Sequence, residues 1–483
     1  MDTLLRLHIL VFVVLCGPIA VAAAGSVSIA LPVSSISLDP RSVQDQSSLL
    51  VARQVNCQLI RQRGRAITNE LAEEVKLVTP LEVSFKIRSD RFFSDGTKVT
   101  PNDVVATLLF LKESRIVLRN IFEWVKSIRV EGQSVIVQLH HAAPQFLNQL
   151  AAPNYAIFSE KFLLRAKKDP QLWLNPIGCG DYKISRQSAD RLQINPVNSK
   201  VGVPIEFHYL GRNSMSKDEL KAFDISPVTI DESTGAPEAY RAELSFDPYH
   251  IFLALNSSLP KWSMRNARCK FFSHLDTLAL VSHYKGAAER AVDVFPRGVL
   301  GYSSQWAYQD HFRAIREGQP TERIAIFKLS VLGVSIPAIY REEYKKFIET
   351  GARQVDLSVR ENPKNYGENF RRSGDDGILM GLKSNYLDGY EYLLTFSEGG
   401  SNVTGDKGRA LTSEIKASQE LGDSNLRALA YQRLSKKIRD ECLVYPILTV
   451  PYKKVYVRKE IETPGLGSVP FNEYALVNVK RAN

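Results

Sequence analysis

Residues 92–108 read FFSDGTKVTPNDVVATL, and they follow LEVSFKIR at residues 81–88. In the earlier stretch Leu81, Val83, Phe85 and Ile87 alternate with polar residues, the period of a strand with one buried face. Asp95-Gly96 then predicts a turn, because Asp bonds to nearby backbone and Gly enters the left-handed region freely. Thr100 offers a hydroxyl to the free amides of a helix start, Pro101 suits the first helical position, and Asp103 puts negative charge in the first turn. A strand, a turn and a capped helix form one unit of an α/β fold.

The 483 residues exceed one ordinary core, so about two or three domains are expected. With 44% hydrophobic and 24% charged residues and no low-complexity block, the composition is globular. The chain opens MDTLLRLHILVFVVLCGPIAVAAAG: Arg6, an apolar run from Ile9 to Ala24 broken by Gly17-Pro18, and small residues at the end. This pattern predicts a secretory signal peptide over residues 1–24, cut after Ala22 or Ala24. The run is short for a spanning helix. Leu15 stands where a lipid-attachment cysteine at position 16 would need a small neighbour, so Cys16 is assigned to the removed segment and the mature protein is expected free in the periplasm.

Four cysteines then remain, Cys57, Cys179, Cys269 and Cys442, none spaced as CxxC. In an oxidising compartment they allow two disulfides in any of three connectivities, or four buried thiols. The net charge of +10 gathers partly at Arg61, Arg63 and Arg65 and along Arg433, Lys436, Lys437 and Arg439. The second group lies on a helix predicted over 424–441, whose apolar stripe is Leu426, Leu429, Ala430, Leu434 and Ile438, and its bases form a solvated face. Export argues against nucleic acid as a partner. The pair His140-His141 follows a predicted strand, where neighbouring side chains point to opposite faces and make poor joint metal ligands. The chain has no G-x-S-x-G elbow, H-E-x-x-H helix or P-loop, and its two S-x-x-K matches, at Ser214 and Ser413, lack the accompanying motifs of penicillin-binding enzymes. No catalytic activity, metal or cofactor is expected.

The wording of 92–108 resembles the F-x-DG-x-x-x-T-x-x-DV segment of the family 5 extracellular solute-binding proteins, receptors of peptide and nickel ABC importers. Further segments resemble the family in order: SLDP (37–40), ELAEEV (70–75), NPIGCGDY (175–182), FLALN (252–256), Arg268 with Asp276, FPRGVLGY (295–302), the region 375–398, and the last helix followed by Tyr445-Pro446-Ile447. The resemblance implies an α/β, two-lobe periplasmic-binding-protein type II (cluster C) fold with an extra subdomain in lobe I. Lobe I would comprise 25–45, 165–250 and 451–483, the subdomain 46–164, and lobe II 251–450. It implies a small polar ligand, peptide-like first of all, enclosed between the lobes and delivered by a monomeric receptor to a permease in the inner membrane.

In peptide-binding members of this family, the Asp of a W-x-x-D-Y segment holds the ligand's α-ammonium group. Here that segment is GLKSNYLDGYEYLL, residues 381–394. The resemblance makes Gly381, Leu382, Lys383, Asn385, Tyr386 and Asp388 the candidate ligand-binding residues, with Leu382 at the Trp position and Asn385 at the Asp position. Asparagine carries no charge. Two readings follow: a ligand without a free ammonium (a capped or cyclic peptide, a cell-wall fragment, a sugar), or replacement of the lost charge by Asp388 or Glu391. Asp388 also suits a purely structural turn, and Lys383 reads either as facing an anionic group or, by preference, as solvated. A receptor-like fold that senses or scaffolds without feeding a transporter is the alternative function.

Overall fold

The computed structural model describes residues 25–482 except 44, 64–65, 114–118, 144, 199, 213, 231–235, 285–286, 317–322, 333–335, 337–339, 361–365, 384–387 and 399–400. The expected signal peptide, Arg65, and the candidates Asn385 and Tyr386 lie outside the described residues.

The strand–turn–helix unit forms as its sequence dictates. Strand Glu82–Ile87 buries Val83, Phe85 and Ile87, while Leu81 falls outside it and is exposed. Asp95 accepts from the amide of Thr97, and Gly96 has φ of 85°. Helix Pro101–Glu113 starts with a reciprocal cap: Thr100 donates its backbone N–H to Asp103 at 2.8 Å, and the Asp103 N–H reaches Thr100 Oγ1. The second carboxylate oxygen of Asp103 accepts from the amide of Glu160, tying this helix to the start of another. Ser94 donates to the Gly178 carbonyl, so the segment docks on the NPIGCGDY turn. There Gly180 lies so close to the backbone of Gln54 and Val55 that a Cβ would collide.

An 11-stranded sheet runs through the molecule. Two long antiparallel strands, Tyr240–Leu255 and Val444–Arg458, sit at its middle. On one side lie Ile225–Ser226, Val27–Leu31, Ile205–Tyr209, Arg191–Pro196 and Tyr182–Gln187; on the other, Gly377–Leu382, Ile324–Leu332 and Ala352–Arg360; the eleventh, Glu289–Arg290, pairs with Val444–Arg458 off this path. Each half has its own apolar core. One gathers residues such as Val27, Leu50, Phe207, Val457 and Phe471, the other Phe252, Phe271, Phe327, Leu379 and Tyr445. A four-stranded antiparallel sheet, Ala72–Thr79, Glu82–Ile87, Ser134–Leu139 and Val125–Glu131, carries a third core with Phe85, Phe110, Phe158 and Trp173. The central strands are irregular where the halves meet, with register shifts between Phe246 and Tyr249 and between Ile251 and Phe252. Such bulges bend a strand and re-aim its side chains.

Cys57 is bonded to Cys179 and Cys269 to Cys442. The first pair closes the third core against the turn at 175–182, and the second ties helix Arg265–Ser273 to the end of helix Ser424–Asp440. Two sequence expectations are corrected. On helix Ser424–Asp440 the buried residues are Arg427, Ala430, Tyr431, Leu434, Ser435 and Ile438, while Leu426 and Leu429 are exposed. The arginine goes inside because its guanidinium reaches the carbonyls of Leu421 and Gly422 just before the helix. Arg61 belongs to no surface cluster: it is buried and paired to Glu70.

Candidate functional site

The segment 377–394 is positioned by its strand and the helix that follows. Strand Gly377–Leu382 pairs with Tyr240–Leu255, opposing Gly381 to Ile251 and Leu382 to His250. Gly381 is needed there because the ring of Tyr249 lies across it and a Cβ would overlap that ring. Lys383, one residue past the strand, leaves its own half of the sheet. Its ammonium donates to Gln46 Oε1 and Asn472 Oδ1, each at 3.0 Å, and forms an ion pair with Asp247. Gln46 opens helix Gln46–Val55 and Asn472 follows Phe471, both in the core of the opposite half, while Asp247 sits in the bulge of the central strand. The lysine side chain is only 10% exposed, which overturns its reading as solvated. One carboxylate and two amide oxygens satisfy all three of its donors.

Gln46, Asp247 and Asn472 line a small cleft with a cavity volume of about 30 Å³, walled on one side by Leu31, Pro32, Leu50, Pro227 and Phe471. Lys453, on the other central strand, also lines it. Burial pushes the Lys453 ammonium below the ordinary lysine range; Asp247 opposes that shift and Lys383 adds to it. The cleft is thus part apolar and part polar in its lining.

Asp388 takes the structural role. It caps helix Gly389–Leu394 by accepting from the Tyr390 amide at 2.9 Å, and the same oxygen accepts from Gln145 Nε2 at 3.0 Å. Arg427 lies 3.7 Å from the other oxygen. Burial raises the Asp388 pKa, and the Tyr390 amide, Tyr431 and Arg427 oppose that rise. The FPRGVLGY segment supports this corner, with the Leu300 carbonyl accepting from the amide of Gly389.

Arg268 and Asn256, read as family matches, are also structural. Arg268 is buried and donates to the carbonyls of Trp262, Ser263 and Glu441, and Asn256 donates to those of Arg371 and Asp375. Among the described residues no group of three or more His, Cys, Asp or Glu side chains could hold a metal ion, and no helix is long and apolar enough to cross a membrane.

The sequence reading missed Gln46, Asp247, Lys453 and Asn472. Asp247-Pro248 inside an otherwise strand-like run was the one available signal, since proline interrupts a ladder and marks a bulge.

Two α/β halves, joined by a pair of long central strands and with a cleft at the junction, define the two-lobe fold of periplasmic binding proteins, here with an added subdomain around the four-stranded sheet. The family resemblance holds as well: residues 66–198 match the model of bacterial extracellular solute-binding proteins, family 5 Middle. No curated protein matches the chain by sequence. Solved structures share the fold over nearly the whole length. The murein tripeptide binding protein MppA of Escherichia coli aligns at TM-score 0.77 with 14% identity, covering 96% of this chain and 99% of that one. A Pseudoalteromonas dipeptide binding protein in complex with Met-Leu aligns at 0.76 with 16% identity, covering 94% and 100%. AgaA of Agrobacterium tumefaciens R10, in complex with agropinic acid, aligns at 0.75 with 17% identity, covering 95% and 99%.

Proposed function

We propose that this chain is an exported substrate-binding protein of an ABC importer, which captures a peptide or peptide-like solute between its lobes and delivers it to a permease in the inner membrane, without catalysis. The observation that carries this reading is the cleft at the junction of the halves, where Lys383 from one side meets Gln46 and Asn472 from the other. Groups brought together across a hinge let a ligand favour the closed form through contacts it makes only there. Of the expected division into lobe I (25–45, 165–250 and 451–483), subdomain (46–164) and lobe II (251–450), the core of residues 251–448 supports lobe II, while Leu50, Val51 and Val55 pack in the lobe I core and Trp173 and Cys179 in the subdomain core, which favours lobe I–subdomain boundaries near 56 and 180. The relatives of this fold bind a murein tripeptide, a dipeptide and agropinic acid, which supports small polar solutes with peptide character as the ligand class.

Asn385 bears on which peptides are accepted. Without the aspartate that resemblance places there, a free α-ammonium loses on the order of 2–5 kcal/mol of binding. We therefore favour ligands without that group. The test is the thermal unfolding midpoint of the mature protein with mixed di- to pentapeptides, with the same mixture N-acetylated, and with cell-wall fragments. A ligand at about 100 times its Kd adds roughly 2.7 kcal/mol and raises the midpoint. The N-acetylated mixture or the cell-wall fragments should raise it, and Asn385→Asp should extend the response to free-amine peptides. No rise with any of them would overturn the receptor reading. The second reading, a sensor that feeds no permease, is favoured by the small volume of the cleft, about 30 Å³; ligand-driven closure without permease binding would select it.

A further inference from the structure

Lys383 spans the gap between the halves. Its backbone continues strand Gly377–Leu382 of one half, and its ammonium reaches Gln46 Oε1 and Asn472 Oδ1 of the other, with Asp247 of the central strand beside them. Both charged side chains are shielded, Lys383 at 10% exposure and Asp247 at 12%. The cleft that Gln46, Asp247 and Asn472 line has a volume of about 30 Å³, room for about two waters. A solute of peptide size cannot share that space with the contact. We infer that Lys383 is a latch: the chain's own ammonium closes the halves on one another through Asp247, Gln46 and Asn472, and a solute enters only from the population in which this contact has opened.

The chemistry suits a clasp that can release. Three acceptors face an ammonium with three donors, and a hydrogen bond from an ionised donor is about twice as strong as a neutral one. Opening returns the ammonium and the carboxylate to water, which offsets much of the attraction lost. The contact also sets a threshold for the solute. A molecule held latched is unavailable, so a latch that keeps about nine tenths of the protein closed lowers the apparent affinity about 10-fold. That threshold rests on the receptor reading, whereas the latch is a property of the chain alone.

The first test therefore needs no solute. Spin labels at Lys161→Cys and Lys416→Cys, both exposed, report the separation between the subdomain and the half that carries Lys383. Lys383→Met should move population from the short distance to a longer one. Gln46→Ala with Asn472→Ala should do the same, since it removes the opposite acceptors and leaves the Lys383–Asp247 pair in place. Gln145→Ala, which cuts the contact between the subdomain and Asp388, should lengthen the distance less. Cooperative melting shows that each variant is folded. An unchanged distribution in both latch variants overturns the proposal, and a larger shift in Gln145→Ala overturns its assignment to Lys383.

A second test reads the threshold, with N-acetylated di- to pentapeptides as the probe. Lys383→Met should bind them about 3- to 10-fold more tightly than the native protein. Equal or weaker binding would overturn the latch, because Lys383 would then be idle or one of the solute's own contacts. Opening of Lys383→Met with no peptide bound by either protein would support the latch and count against the receptor reading.

Discussion

Gln145 and Asp388, 243 residues apart in the chain, are joined by a 3.0 Å hydrogen bond from the Gln145 amide to the Asp388 carboxylate. Gln145 stands at the start of helix Phe146–Leu150, whose Phe146 packs in the core around the four-stranded sheet. Asp388 caps a helix of the opposite core, and Tyr431 of that core accepts from the same amide at 2.5 Å. The half that carries Asp388 is therefore held at two separate points, to the core around the four-stranded sheet here and to the other half through Lys383, both polar and both largely shielded from water.

Gln145→Ala removes the donor and leaves the Asp388 carboxylate short of a partner. A buried acceptor so left costs about 1–3 kcal/mol. Amide hydrogen exchange over residues 146–150 and 389–394 is expected to quicken in the variant. Exchange should stay unchanged over strand Ala352–Arg360, far along the sheet. Unaltered exchange at both contact segments would count against the contact.

Lys383→Met is expected to free Asp247, Gln46 and Asn472 together. Removing one partner of a largely buried ion pair costs about 3–5 kcal/mol where the other charge stays unpaired. Asp247→Asn alone should be similarly damaging, and the double variant should lose less than the sum of the two. A double-mutant cycle by denaturant unfolding reads that coupling, and additive losses would show that the two residues do not act as a pair.

Asp293 offers a pH test. Its carboxyl is buried and accepts from the amides of Val294 and Ser303 and from the Ser435 hydroxyl, and burial still raises its pKa to about 6. An acid with a raised folded pKa binds more protons folded than unfolded between the two values. Its contribution to stability therefore falls as pH climbs from about 4 to 6 and stays constant above that. His250 runs the other way: burial lowers its pKa to about 3, so its contribution rises over the same interval. The two slopes oppose each other in the native protein. Comparing it with Asp293→Asn isolates the first: relative to the native protein, the variant should gain about 2 kcal/mol from pH 4 to pH 6. Urea midpoints at several pH values measure this, and a pH-independent difference would contradict it.

The disulfides close loops of 122 and 173 residues. Loss of either, by Cys57→Ser with Cys179→Ser or by Cys269→Ser with Cys442→Ser, should cost about 2–5 kcal/mol. Non-reducing peptide mapping of exported protein should recover these two pairings and no others.

The fold was legible wherever a local signal coincided with a structural requirement. Thr100-Pro101 and Asp103 announced a helix start because capping is settled within one turn, and Asp95-Gly96 a turn because Gly96 needs its positive φ. The crossing strands were legible only as FLALN and Tyr445-Pro446-Ile447; their length and bulges depend on pairing across some 200 residues, which periodicity does not encode. The helix at 424–440 was recognised but its face was rotated, since Arg427 is drawn inside by two carbonyls that no hydropathy pattern represents. At the site, only the 381–388 segment carried a readable motif. Gln46, Asp247, Lys453 and Asn472 come from four distant stretches, and the folding of the central strands alone makes them neighbours.

The central claim, capture of a solute between moving lobes, is tested most directly by an interlobe distance. Spin labels at Lys161→Cys and Lys416→Cys, two exposed positions on the subdomain and on the opposite half, report it. The account predicts a distribution that includes a longer-distance population without ligand and collapses to one short, narrow distance when N-acetylated peptides are added. A distribution that these peptides leave unchanged, while they raise the melting midpoint, would contradict closure around the solute.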